Sequence, residues 1–281
     1  MSDGSSAASA GAARWAGGTF GERGRCVLAA NAGPMTLDGT NTWVLAEPGA
    51  SRCVVVDPGP ELIAHLDAVA GVAEEAAGSV AAVLLTHHHA DHAEAARSFA
   101  ERVGCGVRAL DPGLTLGDEG LADGDVVAVD GLELHVVATP GHTGDSLSFW
   151  LPAERALLTG DTVLGRGTTV VAHPDGDLGA YLGSLDRLHA LVSSVEAATV
   201  WPGHGPVLPS ALDVLDAYRA HRRDRLEQVR AAVWGLGLTP ADPHLLDHAR
   251  TVVEQVYADV DPVLWGAAEL SVRAQLAYLA R

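Results

Sequence analysis

Ser79-Val80-Ala81-Ala82-Val83-Leu84-Leu85-Thr86 runs directly into His87-His88-His89-Ala90-Asp91-His92. The apolar half has the length of a buried strand. The polar half packs four histidines and an aspartate into six residues. Imidazole and carboxylate are the ligands that divalent zinc, manganese and iron prefer. In an extended segment alternate side chains share a face, so His87 and His89 can grip one ion while His88 points away and reads as structural. Asp91 and His92 fall where a helix begins and can turn toward a second ion.

Three more candidates follow, each isolated and each just past another apolar run: His142 in Thr139-Pro140-Gly141-His142-Thr143, Asp161 in Leu158-Thr159-Gly160-Asp161-Thr162, and His204 in Trp201-Pro202-Gly203-His204-Gly205. A single histidine beside Pro-Gly is often an ordinary turn residue. The whole set is not explained that way, because a turn needs no histidine whereas a metal site needs several that converge. His65 and His189, on expected helices, read as ordinary residues, and His221, His244 and His248 as surface or capping residues.

The constellation resembles the metallo-β-lactamase superfamily, whose motif is His-x-His-x-Asp-His followed at long intervals by a His, a bridging Asp and a final His. His87, His89, Asp91, His92, His142, Asp161 and His204 match every position. The resemblance spans about residues 25 to 210. It implies an α+β fold, a four-layer αββα sandwich, with His87, His89 and His142 on one metal, Asp91, His92 and His204 on the other, and Asp161 between them. Many true β-lactamases carry cysteine at the bridging position. Asp161 places the chain nearer the glyoxalase II, RNase Z and lactonase branches. The stretch from Asn31 to Leu45 also resembles the N-terminal signature of the β-lactamase-like protein 2 group, which includes a single-strand-preferring endoribonuclease and relatives of polyketide-releasing thioesterases. By the same resemblance Asn41 and Thr42 are candidate substrate-binding residues. The tail is similar to that group's winged-helix-like domain with the wing truncated.

Composition bounds the rest. At 281 residues and 48% hydrophobic, the chain is long enough for one large domain or one with an appendage. The longest apolar stretches are strand-length, so no membrane-spanning helix is expected. The Ser/Ala/Gly-rich start reads as a disordered leader over 1–18, without the apolar segment of a secretion signal. Cys26, Cys53 and Cys105 are too few and scattered for a disulfide framework, which fits a reducing cytoplasm. The formal net charge is -18 and every basic residue is arginine. Residues 1–210 hold 10 arginines against 26 acids, and 211–281 hold 8 against 10. Such a field repels polyanions, and nucleic-acid affinity rests on phosphate neutralisation.

Further strands are read at 25–29, 42–45, 53–57, 146–151, 156–158 and 199–201, and a hairpin from 125–129 to 132–137 through Asp130-Gly131. Helices are read at 61–70, 91–103 and 177–192. Residues 19–210 form the expected catalytic domain. Residues 211–281 form a helical appendage, with helices at 211–235, 243–257 and 262–280, suited to packing, homodimer formation or narrowing of the cleft.

The expected chemistry is hydrolysis by a hydroxide shared between two divalent ions, zinc first with manganese or iron as alternatives. Asp91 would orient it, and His173 would give a proton to the leaving group. The substrate read first is an ester, thioester or lactone of a small molecule. A single-strand endoribonuclease is second, against the acidic charge, and a metal-bearing interaction scaffold third. A redox role lacks an electron-carrier domain, and β-lactam hydrolysis is expected as a side activity only.

Overall fold

The computed structural model describes residues 14–117 and 119–281. Two sheets stand face to face. The first contains β1 (Gly18–Phe20), β2 (Gly24–Leu28), β3 (Asn41–Leu45), β4 (Arg52–Val56), β5 (Ser79–Leu84) and β6 (Gly106–Arg108), in that order across the sheet. Its first three pairings are antiparallel, and β4–β5 and β5–β6 are parallel. The second contains β7 (Val126–Val129), β8 (Leu132–Ala138), β9 (Leu147–Leu151), β10 (Ala156–Gly160) and β11 (Thr199–Pro202), with β11 parallel to β10 at the far edge from β7.

Strands β4, β9 and β10 read as nearly unbroken apolar runs because both of their faces are covered, whereas β7 and the start of β8 alternate between a buried and an exposed face. On β4, Val54 and Val56 enter the core between the sheets, while Cys53 and Val55 enter a second core under α1 (Ile63–Ala77) and α3 (Ala96–Val103). A third core lies outside the second sheet, where Trp150, Leu157 and Val200 meet α4 (Leu178–Val192) and the start of α5 (Ala211–Gly235). The result is an α+β sandwich with helices on both outer faces.

Local chemistry accounts for the joints. Asp130 and Gly131 have φ of 47° and 97°, as a two-residue turn of right-handed twist requires, and they set Val129 opposite Leu132. Asp177 caps α4 by accepting the Ala180 N–H at 2.8 Å. Two expectations are corrected. The helix read over 91–103 is broken into α2 (Ala90–Ala93) and α3, because the Ala95 N–H donates to Gly59 O at 3.1 Å instead of to the carbonyl four residues back. Residues 14–18, assigned to the leader, belong to the fold: the Trp15 indole N–H donates to Asn41 Oδ1 at 2.8 Å and its ring packs on Phe20. The remainder of that leader, 1–13, lies outside the described residues.

The tail is all-helical among the described residues: α5, α6 (Ala249–Val256) and α7 (Trp265–Leu279). α6 and α7 are each shorter than read, since a 3-10 turn precedes each of them. α5 belongs to two cores. Ala211, Leu215 and Tyr218 pack with α4, while Val229 and Val233 pack with α6 and α7.

Candidate metal centre

All seven proposed ligands sit where loops leave strand ends at one edge of the sandwich, which is where a rigid sheet can aim several loops at one point. His87 and His89 follow β5, and Asp91 and His92 lie on α2. His142, Asp161 and His204 follow β8, β10 and β11. The structure brings them together. His89 Nδ1 lies 3.1 Å from His87 Nε2 and 3.1 Å from His142 Nε2. His204 Nε2 lies 3.2 Å from His92 Nε2 and 3.1 Å from Asp91 Oδ2. Asp161 stands between the two groups, with Oδ1 3.4 Å from His92 Nε2 and Oδ2 3.4 Å from His204 Nε2 and 3.7 Å from His142 Nε2.

Outer partners decide which nitrogen faces inward. A carbonyl only accepts, so the contacts of His142 Nδ1 with Val170 O (2.8 Å) and His204 Nδ1 with Gly39 O (3.1 Å) place the proton on Nδ1. Nε2 of each ring then presents a lone pair to the centre. His92 Nδ1 donates likewise to Asp57 Oδ2 at 2.8 Å. The Thr86 hydroxyl donates to the same oxygen at 2.7 Å and therefore accepts from His87 Nδ1 at 2.9 Å. In these tautomers lone pairs converge within hydrogen-bond distance of one another, and the centre calls for a cation, either a metal ion or a second proton on His92 or His204. Asp161 Oδ1 is buried without a hydrogen-bond partner. A donor set of five imidazoles and two carboxylates that leaves such an oxygen unmatched fits divalent cations.

Electrostatics divide the cluster. Burial, then the neighbouring histidines, holds His87 well below the ordinary histidine range and His89 down at about 4. Burial also lowers His142. At His92 and His204 burial acts in the same sense but is outweighed by Asp161, with Asp57 and Asp91 respectively. His92 is raised well above the usual value and His204 to about 9. Burial of Asp161 is in turn outweighed by His204 and His92, which keep it well below the carboxylate range.

Asp57 is the residue sequence reasoning missed. It is 2% exposed, accepts the Thr86 N–H at 2.8 Å, and steers His87 through Thr86 and His92 directly. Its carbonyl accepts from Thr42 Oγ1 at 2.7 Å, and Thr42 accepts from His65 Nε2 at 2.8 Å. His65 is therefore a buried support for this network and more than an ordinary helix residue. The available signal was an aspartate closing the strand beside β5.

Asn41 and Thr42 are corrected as substrate-binding residues. Both are fully buried on β3. Asn41 Nδ2 donates to Pro202 O and Gly205 O at 2.9 and 2.8 Å, so Asn41 clamps the His204 loop. His88 turns outward and pairs with Asp145 at 2.8 Å. Tyr181 is core, its hydroxyl donating to Thr162 O at 2.6 Å. His173 is half-buried, and its backbone N–H donates to Leu270 O of α7 at 3.3 Å. Gly203 is required where it stands: a Cβ there would lie 2.7 Å from Asp161 Oδ1 and 2.8 Å from His92 Cε1.

Residues 35–204 match the family model of the metallo-beta-lactamase superfamily. The chain belongs to that superfamily. It is 33% identical, over 83% of its length and 76% of the relative's, to a beta-lactamase-like protein 2 homolog from Caenorhabditis elegans. It is also 33% identical, over 74% of its length, to an atrochrysone carboxyl ACP thioesterase from Paecilomyces divaricatus, of which it spans 62%. A beta-lactamase domain protein from Burkholderia ambifaria superposes on the fold with a TM-score of 0.75 at 22% identity, covering 96% of this chain and 90% of that one. Membership makes the chain an enzyme, a metal-dependent hydrolase. No helix among the described residues is long and apolar enough to cross a membrane.

Proposed function

We propose that the protein hydrolyses acyl thioesters of small molecules at a pair of divalent ions, with His87, His89 and His142 holding one, Asp91, His92 and His204 the other, and Asp161 reaching both. The observation that carries this reading is the buried convergence of five imidazoles and two carboxylates around Asp161, whose Oδ1 has no hydrogen-bond partner. Relatives named as thioesterases support the substrate class. Ions bound there supply Lewis acidity toward a carbonyl oxygen and bring the acidity of a water into the neutral range.

The protein's own groups do the rest. The Asp91 side chain is 28% exposed and that of Asp161 10%. Asp91 is therefore the carboxylate open to an incoming water, where it accepts that water's proton in a hydrogen bond and fixes its direction. Asp161 and the five rings keep bulk water from the remaining face. A thiolate leaves readily near neutral pH because thiols ionise at about 8.5, so no side chain needs to protonate it. His173 matters only if the leaving group is an alkoxide. Replacing His173 with Ala should leave thioester turnover unchanged and slow an ester of the same acyl group.

The deciding assay uses metal-loaded protein against an acyl-thioester panel and a labelled single-stranded RNA, with His87→Ala as the control for contaminating activity. Thioester cleavage that vanishes in the variant, with RNA intact, is the expected result. RNA cleavage that vanishes in the variant while thioesters survive would overturn the reading in favour of the endoribonuclease.

A further inference from the structure

A cavity of about 260 Å³ opens where the tail meets the sandwich. Thr169 and Val170 form one side, and His221, Arg222 and Arg225 of α5 form the other, with Leu264 at the apolar rim. No Asp or Glu lines it, in a chain with 36 acids and 18 arginines. Arg222 is only 7% exposed. Its Nη2 donates to Thr169 O at 2.5 Å and its guanidinium lies over Tyr181 at 4.9 Å, but its Nε is buried with no partner. His221 Nδ1 is likewise buried and unpartnered, so His221 is not the surface or capping residue its position suggests. Arg225 donates to Val256 O at 2.8 Å and stacks on Tyr257 at 4.3 Å. Both guanidiniums thus contact carbonyls and ring faces, and neither pairs with a carboxylate among the described residues. Burying cationic donors without an anion is costly. Burial, followed by the charges of Arg222 and Arg225, also holds His221 below the usual histidine range.

The cavity shares a wall with the metal cluster. Val170 O lies 2.8 Å and Thr169 Oγ1 3.2 Å from His142 Nδ1. A molecule filling the cavity therefore lies one residue layer from a proposed metal ligand.

We propose that this cavity is the subsite for an anionic group, carboxylate or phosphate, at the end of the thioester substrate away from the scissile bond. The assignment rests on the thioester reading. Arg225, whose Nη1 is taken by Val256 O, turns its remaining N–H groups to a carboxylate or phosphate oxygen, and the buried charge of Arg222 behind it adds to the positive field of the cavity. The apolar rim takes the methylene stem that carries it. The cavity's size suits a single anionic group on a short stem. A polyanion such as RNA would need a basic track across a surface that is otherwise acidic.

The anion can sit on the acyl side or on the thiol side, and three thioesters separate these sources. Butanoyl-N-acetylcysteamine carries no anion, succinyl-N-acetylcysteamine carries an acyl carboxylate, and butanoyl-4′-phosphopantetheine carries a phosphate on the thiol arm. One anionic thioester should exceed the neutral one in kcat/KM by tenfold or more, through KM, and Arg225→Gln should bring that ratio toward one. Arg225→Gln is preferred to Arg222→Gln, which also breaks the bond to Thr169. A second readout needs no turnover: calorimetric titration with glutarate and with inorganic phosphate. At least one of them should bind the variant tenfold or more weakly. Equal binding by wild type and Arg225→Gln, with no preference among thioesters, overturns the subsite and leaves the thioester reading standing. Arg225-dependent anion binding without any thioester cleavage keeps the subsite and sinks the substrate class. A labelled single-stranded RNA whose binding depends on Arg225 would overturn the small-anion assignment.

Discussion

The two halves of the cluster are held in different ways. His87, His89 and His142 form an all-imidazole group whose outer partners are a hydroxyl at Thr86 and a carbonyl at Val170. Asp91, His92 and His204 include a carboxylate, and His92 leans on the buried charge of Asp57. The first half also depends on the tail. Val170 follows Thr169, whose carbonyl is held by Arg222, and the preceding residues Leu164 and Gly167 are held by the Tyr218 hydroxyl. The second half is held mainly by the sandwich, through Asp57, Asn41 and Gly39, and meets the tail-held loop through the Gly165 N–H, which donates to His204 O at 2.8 Å. An appendage of helices can therefore bear more heavily on one half of a metal centre than on the other.

The largest expected effect erases this difference. Asp57 serves both halves, so Asp57→Ala should weaken metal binding at both by about 10–100-fold. It should also lower stability by about 3–5 kcal/mol, because His92 keeps a buried Nδ1 without its partner. Elemental analysis after dialysis and a denaturant melt check the two effects. A variant that keeps its full metal content would remove Asp57 from the account.

Tyr218→Phe sharpens the comparison. The Leu164 N–H donates to this hydroxyl at 2.9 Å, and stranding it should cost about 1–3 kcal/mol. Metal loss on mild chelation should be faster from the His142 half, with the second ion retained. Simultaneous loss of both ions would argue that the tail grips the whole cluster.

The smallest effect lies away from both halves. The hydrogen bonds from Arg52 and Ser51 hold Asp130 down at about 2, below its unfolded value of about 3.9. Its contribution is therefore present above about pH 4 and is lost as pH falls toward 2. The difference in melting temperature between wild type and Asp130→Asn should shrink over that interval, and the two proteins should carry equal metal at neutral pH. A difference that persists at pH 2 would contradict the assignment.

The ligand set is legible in the sequence because no other residue types offer imidazole and carboxylate lone pairs, and each group follows an apolar run that can only be a strand. Tail helices are legible from their periodicity. Asp57 is not, because Asp followed by Pro58-Gly59-Pro60 has the composition of an ordinary turn. Only the fold shows that its carboxylate points between His92 and Thr86. Asn41 and Thr42 mislead for the opposite reason: they lie beside the site in space, but β3 is covered on both faces and their polar atoms are bound to protein partners. The break between α2 and α3 depends on Gly59, 36 residues before Ala95, and no local periodicity carries that. Neither does the sequence show that α5 serves two cores and presents its cations to the cavity beside Thr169 and Val170.

Metal stoichiometry in wild type, His87→Ala and His204→Ala, each loaded with zinc and dialysed, tests the proposed pair of sites most directly. Two ions per chain in the wild type and one in each variant is the predicted result. A wild-type protein that retains no ion, or a His87→Ala protein with an undiminished count, would contradict it.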